Sequence, residues 1–266
     1  MKFRLEDINK TLGLDLKEKD IKKLLEKMGI GYEKGKAIIP AYRIDILHWI
    51  DMAEEIAIAY GYDKFEPEIP KISTIAQEDK LSVFKSKSEE ILAGLGLQEV
   101  SSYHLTTKEN IKNAYPAFKE FIEVEESKTE YNILRPDLLT NLLRILYQNS
   151  DSAYPQKIFE IGRVFLLYDK SETGVQEKEK LAVAITHETA NFTELKQILD
   201  YFLSMIGQEY KIVPENNPAF IDGRAGKILI NNKDIGIIGE ISPRVLKDCK
   251  IKMPVAVFEL EIEKLA

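Results

Sequence analysis

Residues 63–80, DKFEPEIPKISTIAQEDK, carry Pro67 and Pro70 and no steady apolar period, so the chain on either side must bury a core of its own. At 266 residues there is length enough for two such cores. The expected organisation is a small domain over 1–70, a linker over 71–79 and a larger domain over 80–266. Hydrophobic residues make up 44% and charged residues 30%, the balance of a folded chain and not of a disordered one. A net charge of -7 argues against a surface that grips nucleic acid everywhere, so DNA is not an expected partner, while a local basic patch stays possible. One cysteine, Cys249, excludes an internal disulfide and a cysteine-rich zinc site. No stretch approaches the roughly 18 apolar residues of a spanning helix, and the opening MKFRLEDINK lacks the apolar core of a leader. A soluble, cytoplasmic protein is expected.

The first domain reads as a compact α+β unit. Asp15 can cap a helix carrying Ile21, Leu24, Leu25 and Met28 on one face, with Gly29 as its stop. A hairpin is expected from Gly31 to Ile39, turning at Glu33-Lys34-Gly35. A second helix starts near Asp51, with Ala53, Ile56, Ala57 and Tyr60 as its buried stripe and Gly61 closing it. Beyond the linker, a helix bears Leu81, Phe84, Ile91, Leu92 and Leu95. A strand is expected near Glu99–Leu105, a helix over 107–114, and a leucine-rich helix opened by Pro136. Strands are expected at Lys157–Leu167, Leu181–Thr186, Lys227–Ile230, Ile235–Ile238 and Val255–Ile262, with a helix over 192–206 between them. Strands with long helical insertions point to an antiparallel or mixed sheet flanked by helices.

The stretch 40–55, PAYRIDILHWIDMAEE, gathers acids. Asp51, Glu54 and Glu55 fall at i, i+3 and i+4, on one side of a helix's first turn, and Asp45 lies close enough for the extended segment before it to fold back. Two readings stand side by side. Hard oxygen donors without His or Cys suit Mg²⁺, which takes few carboxylates and keeps several waters. From spacing alone the commoner of the two is the other, since helices so often start with acids: Asp51 as N-cap with Glu54 three residues on is a capping box, and Arg43 can pair with Asp45.

The passage PAYRIDILHWIDMAEEIAIAYGYDKFEP resembles the end of the B5 domain, a small winged-helix-like domain in the beta subunits of phenylalanyl-tRNA synthetases of the archaeal and eukaryotic type. The resemblance implies that Asp45, Asp51, Glu54 and Glu55, matching an RxD-x5-D-x2-EE pattern, are Mg²⁺ ligands shared with an alpha subunit. From Lys80 onward the chain resembles the catalytic-like domain of the same subunit, through QEVSSY (98–103), LRPDLL (134–139), IFEIGRVF (158–165), FIDGRAG (220–226), IGIIGEISP (235–243) and VFEL (257–260). The implied fold is α+β, with a winged-helix-like domain followed by a class II aminoacyl-tRNA synthetase-like antiparallel sheet flanked by helices. Class II chemistry has an amino-acid carboxylate attack the ATP α-phosphate, with arginines and Mg²⁺ stabilising the developing charge. Arg163 lies where the resemblance puts the strand of the catalytic motif 2 arginine, yet Leu166–Gly174 reads as a solvated turn and no arginine follows Arg244. No catalytic residue and no cofactor-binding residue is therefore expected in this chain.

The resemblance further implies a heterotetramer in which the alpha subunit binds phenylalanine and ATP, and tRNA(Phe) as a further partner. The leucine faces of the helices at 81–95 and 136–147 are expected to pack against that alpha subunit. Family members also carry upstream domains, an editing domain among them, that nothing here matches, so the alternative is a free-standing paralogue acting as an RNA- or protein-binding module. Among the other conspicuous residues, Arg135 and Arg144 read as solvated or interface ion pairs, with contact to tRNA or the alpha subunit as the alternative. His48, His104 and His187 form no HxxxH pair and read as structural. Gly223 and Gly226 around Arg224 read as a turn between strands, and Tyr42, Tyr60 and Tyr62 as buried rather than stacked on RNA.

Overall fold

The computed structural model describes residues 1–69, 76–116 and 118–265. The expected linker at 71–79 lies outside the described residues over 71–75. The chain divides into two compact units, Met1–Ile75 and Ala76–Ala266.

The first unit packs helices α1 (Leu5–Leu12), α2 (Glu18–Lys27) and α3 (Trp49–Tyr60) around a hairpin of β1 (Gly31–Glu33) and β2 (Lys36–Ile38). In α2, Ile21, Leu24 and Leu25 recur at helical spacing and bury one face, and the Asp20 carboxylate accepts from the Lys17 amide at the helix start. Asp15 therefore is not the cap. The hairpin pairs Gly31 with Ile38, Tyr32 with Ala37 and Glu33 with Lys36. Its two turn residues, Lys34 and Gly35, both take positive φ (48° and 76°), the twist that a two-residue antiparallel turn requires. Ile8, Ile21, Leu25, Ile30, Ala37, Met52, Ala53 and Ile56 form the core. Helix α1 has no counterpart among the sequence expectations, because Ile8 is its only buried residue and the apolar period is too thin to see.

In the second unit, a seven-stranded sheet takes the order β3-β6-β7-β11-β10-β9-β8. Its strands are β3 (Gln98–Glu99), β6 (Gln156–Leu167), β7 (Val175–Thr186), β8 (Lys211–Pro214), β9 (Phe220–Ile230), β10 (Lys233–Ile241) and β11 (Val255–Glu261). A separate pair joins β4 (Leu105–Thr106) to β5 (Ile133–Leu134). All neighbours in the large sheet are antiparallel except β3 and β6, which run parallel, so the sheet is mixed and not antiparallel throughout. The single strand expected near Glu99–Leu105 is instead two short pieces, one in each sheet. The expected turn at Gly223–Gly226 lies inside β9, where Gly226 lets β8 approach closely enough that a side chain would meet Ile212.

Helices cover both faces of the large sheet. Against one face lie α4 (Lys80–Gly94) and α7 (Phe192–Met205), whose Leu92, Leu195, Leu199 and Phe202 meet Phe159, Leu181, Val183, Ile185 and Phe258. Against the other lie α5 (Lys108–Ala114), α6 (Leu139–Gln148) and α8 (Pro243–Asp248), packed on Ile158, Val164, Ala182, Ala184, Val255 and Val257. Burial on both faces explains why 181–186 reads as an unbroken apolar run rather than as an alternation. Leu138, Leu139, Leu142, Leu143 and Leu146 are all buried in this unit's own core, and Leu81, Phe84, Ile91 and Leu95 pack against α7's cluster. The leucine face of α6, expected to meet an alpha subunit, is thus spent inside the chain, whereas of the apolar face of α4 only Leu92 is fully buried and Leu81, Phe84, Ile91 and Leu95 stay half-buried. Helix α6 begins later than Pro136 suggests, because Asp137 organises its start by accepting from the Thr140 amide at 2.6 Å.

Candidate functional site

In the first unit, helix α3 begins at Trp49, two residues before Asp51, so Asp51 occupies the third helical position. Its Oδ2 accepts from the amides of Leu47 (2.7 Å) and His48 (2.6 Å), and these bonds hold its carboxyl below the ordinary value. The capping box is real but shifted by one turn element: His48 stands at the N-cap, not Asp51. Arg43, in the turn segment before α3, clamps two of the other acids. It donates to Asp45 through Nε (3.0 Å) and Nη2 (2.7 Å), and to Glu55 through Nη1 (3.2 Å) and Nη2 (2.5 Å). The clamp holds the Asp45 carboxyl below its usual range. Glu55 retains only 10% side-chain exposure, whereas Glu54 points into solvent. Asp45 and Glu55 are therefore brought together on one guanidinium, Asp51 is turned to the backbone, and Glu54 stands apart. Among the described residues no three His, Cys, Asp or Glu side chains form a ready-made metal cluster. The Arg43–Asp45 pair is visible in the sequence as neighbours two apart, but the Glu55 arm depends on the turn folding back onto α3.

Around this site Tyr42 and Tyr62 are 74% and 64% exposed, against the expectation of burial, because both lie in turns off the buried stripe of α3. Ile44 and Leu47 are likewise exposed.

In the second unit, Arg135 is 1% exposed. It donates to the Arg163 carbonyl (2.7 Å), Ser102 Oγ (2.9 Å) and Glu160 (2.5 Å), while Ser102 also donates to Glu160 and Asn141 donates to Ser102 (2.9 Å). Neither a solvated pair nor a tRNA contact describes Arg135; it is the centre of a buried network. Gly162 faces it across β6, where a Cβ would run into the guanidinium. Arg163 points to the opposite face of β6 and binds Glu179 (3.1 Å) and Glu177 (2.6 Å) on β7, and Lys85 of α4 reaches the same Glu179. Arg224 binds Glu240 (2.6 Å), which also accepts from the Phe192 amide. Arg144 lies over the Tyr131 ring, and its Nε has no partner among the described residues.

A cleft of about 380 Å³ opens over one end of the sheet, lined by Lys180, Lys227, Asp234, Glu259, Glu261 and Lys264 among others. Each lysine is already neutralised: Lys180 by Glu259 (2.6 Å), Lys227 by Glu215 (3.2 Å) and Lys264 by Glu261 (2.7 Å). Glu259 also accepts from the Leu138 amide (2.7 Å) at the start of α6. The histidines stay apart, as expected: His48 caps α3, His104 packs edge-on to Phe165, and His187 bonds Glu194 at 2.7 Å. No helix of the described residues is long and apolar enough to cross a membrane.

A small helical unit with an acid-rich helix start, followed by a helix-covered sheet whose cleft lysines pair with its own acids, matches two family descriptions in order. The tRNA synthetase B5 domain matches residues 1–62, which defines the class as a synthetase chain. The phenylalanyl-tRNA synthetase beta chain CLM domain matches residues 66–262, and the chain belongs to that beta-chain family. It is 39% identical over 279 residues to the phenylalanine–tRNA ligase beta subunit of Thermococcus onnurineus, covering 98% of this chain and 49% of that one. The beta subunit of Pyrococcus abyssi is 39% identical over 98% of this chain and 48% of its own length. That of Methanococcus maripaludis is 37% identical over 97% and 49%. The chain spans about half the length of the curated relatives it matches.

Proposed function

We propose that this chain is the part of a phenylalanine–tRNA ligase beta subunit that supports an alpha subunit in the ATP-dependent charging of tRNA(Phe), and that it has no catalytic site of its own. The observation that carries the reading is that Arg135, Arg163, Arg224, Lys180, Lys227 and Lys264 are each satisfied by groups of this chain. A site that clamps a triphosphate needs guanidinium or ammonium groups held ready and unpaired. The alpha subunit would supply them, with the ATP and phenylalanine sites, in the cytoplasm. The mainly antiparallel sheet between two helical layers supports a class II-like fold for 80–266, and three helices with one hairpin support a winged-helix-like fold for 1–70.

Mg²⁺, shared with the alpha subunit, is the cation proposed for Asp45, Asp51, Glu54 and Glu55. All four are hard oxygen donors, and the free Oδ1 of Asp51 and the exposed Glu54 are open to a cation as they stand. Asp45 and Glu55 fit only once Arg43 lets go of them. When bound, the ion would offset the crowded carboxylates and leave a position for a ligand from the partner.

The test is phenylalanine-dependent ATP–pyrophosphate exchange. The purified chain should show none, and co-expression with an alpha subunit should give a stable complex that does. Exchange by the chain alone would refute the reading.

A further inference from the structure

We propose that the cavity between α5, α6 and α8 binds a carboxylate, the head of an acidic side chain presented by a protein partner, between Arg144 and Lys250. The inference is independent of the metal and alpha-subunit readings above, since it needs only groups of this chain.

The cavity measures about 110 Å³, and its walls include Asn113 of α5, Arg144 and Tyr147 of α6, and Lys250 just past α8. Arg144 Nε is buried and has no hydrogen-bond partner among the described residues, a cost that an arriving acceptor would remove. Its guanidinium lies over the Tyr131 ring at 5.8 Å, and the Lys250 ammonium lies over the Tyr147 ring at 5.8 Å. Neither cation is in an ion pair among the described residues, unlike Arg135, Arg163, Arg224 and the lysines of the sheet cleft. Lys250 takes a φ of 59°, where glycine or asparagine is the easier residue, so the ammonium is held at this corner at a cost in backbone strain.

This pair of donors suits a planar monoanion. A guanidinium offers paired N–H groups that match the two oxygens of a carboxylate, and an ammonium adds a point charge beside them. Glu109 and Asp248 also line the cavity, so a doubly charged phosphate meets more repulsion there than a carboxylate does. A nucleotide does not fit, since pockets for ligands of that size start at roughly 300 Å³. The segment that delivers Lys250, residues 244–252, carries Arg244, Lys247, Lys250 and Lys252 against the single acid Asp248, and all four cations are exposed. On a chain of net charge -7 this local excess favours the approach of a partner's acidic side chain. A free acid held by two donors leaves quickly, whereas one carried on a partner is retained by the contacts around it.

The test follows the arginine Nε–H signals of the full chain by heteronuclear NMR. Arg144 is assigned by its loss in Arg144→Lys, and Arg135, whose Nε donates to the Arg163 carbonyl, is the internal control. Acetate should move the Arg144 signal to saturation and leave that of Arg135 in place, and Lys250→Gln should weaken the binding about threefold or more. A short alanine peptide bearing one glutamate should move the same signal, and its glutamine counterpart should not. An Arg144 signal that acetate leaves unmoved, or that sodium chloride at equal ionic strength moves as far, would overturn the site. Tighter binding of inorganic phosphate than of acetate would overturn the choice of a carboxylate. A response to acetate but not to the glutamate peptide would overturn the protein partner. Lys250→Gln alters an exposed residue, so the acetate comparison stands even if Arg144→Lys does not fold.

Discussion

Asp137 sits at the start of α6 with one oxygen on the Thr140 amide and the other on its hydroxyl, and burial followed by the charge of Glu259 pushes its carboxyl up to about 6. The unfolded chain would titrate this group near 4, so the folded state binds the proton more tightly. Its contribution to stability is complete below about pH 4 and is lost as pH rises through about 6, an effect on the order of 3 kcal/mol. Asp137→Asn keeps an acceptor for Thr140 and removes the titration. Subtracting its denaturation curve from that of the native chain should leave a slope confined to about pH 4–6; a flat difference would show that Asp137 titrates normally. None of this was legible in LRPDLL, where Asp137 looks like one more surface acid beside a proline. The charge that adds to its burial comes from Glu259, 122 positions further on, which itself meets Lys180 and the Leu138 amide. The acids of 45–55 were legible by their helical spacing, whereas Arg43's second arm to Glu55 was not, because it crosses from a turn onto a helix.

At the scale of elements, β6 depends on a missing side chain. Arg135 threads from the end of β5 to the Arg163 carbonyl and Glu160, and Gly162 is what lets the guanidinium lie flat against the strand. Gly162→Ala should cost about 1–3 kcal/mol by overpacking, measured by chemical denaturation, more than an alanine placed in an exposed strand would. A neutral result would mean that Arg135 can shift, and that the buried pair is looser than its geometry. The long strands were readable because β6, β7, β10 and β11 each carry a sustained β-branched or alternating run. The elements that escaped were short or thinly apolar: α1 hides one residue, and β3 and β4 have two residues each. Their backbones are fixed by partners far along the chain, which local periodicity does not contain.

For the whole molecule, a net charge of -7, with the three lysines of the sheet cleft already matched to acids, means that the chain by itself should be a poor host for a polyanion. Millimolar ATP with Mg²⁺ should leave the melting of the sheet unit unchanged, since a ligand stabilises only the state it binds. An upward shift of several degrees would contradict the proposal that this chain has no nucleotide site of its own. Strand β7 adds a reason that charge alone does not give. It sets Leu181, Val183 and Ile185 toward one helical layer and the small Ala182 and Ala184 toward the other, the face on which α6 packs and which Lys180 shares. Arginines grafted beneath α6 would find the ground already built upon, since Leu142 and Leu143 fill the space over Ala182 and Ala184 and a longer side chain there would have to displace that core first.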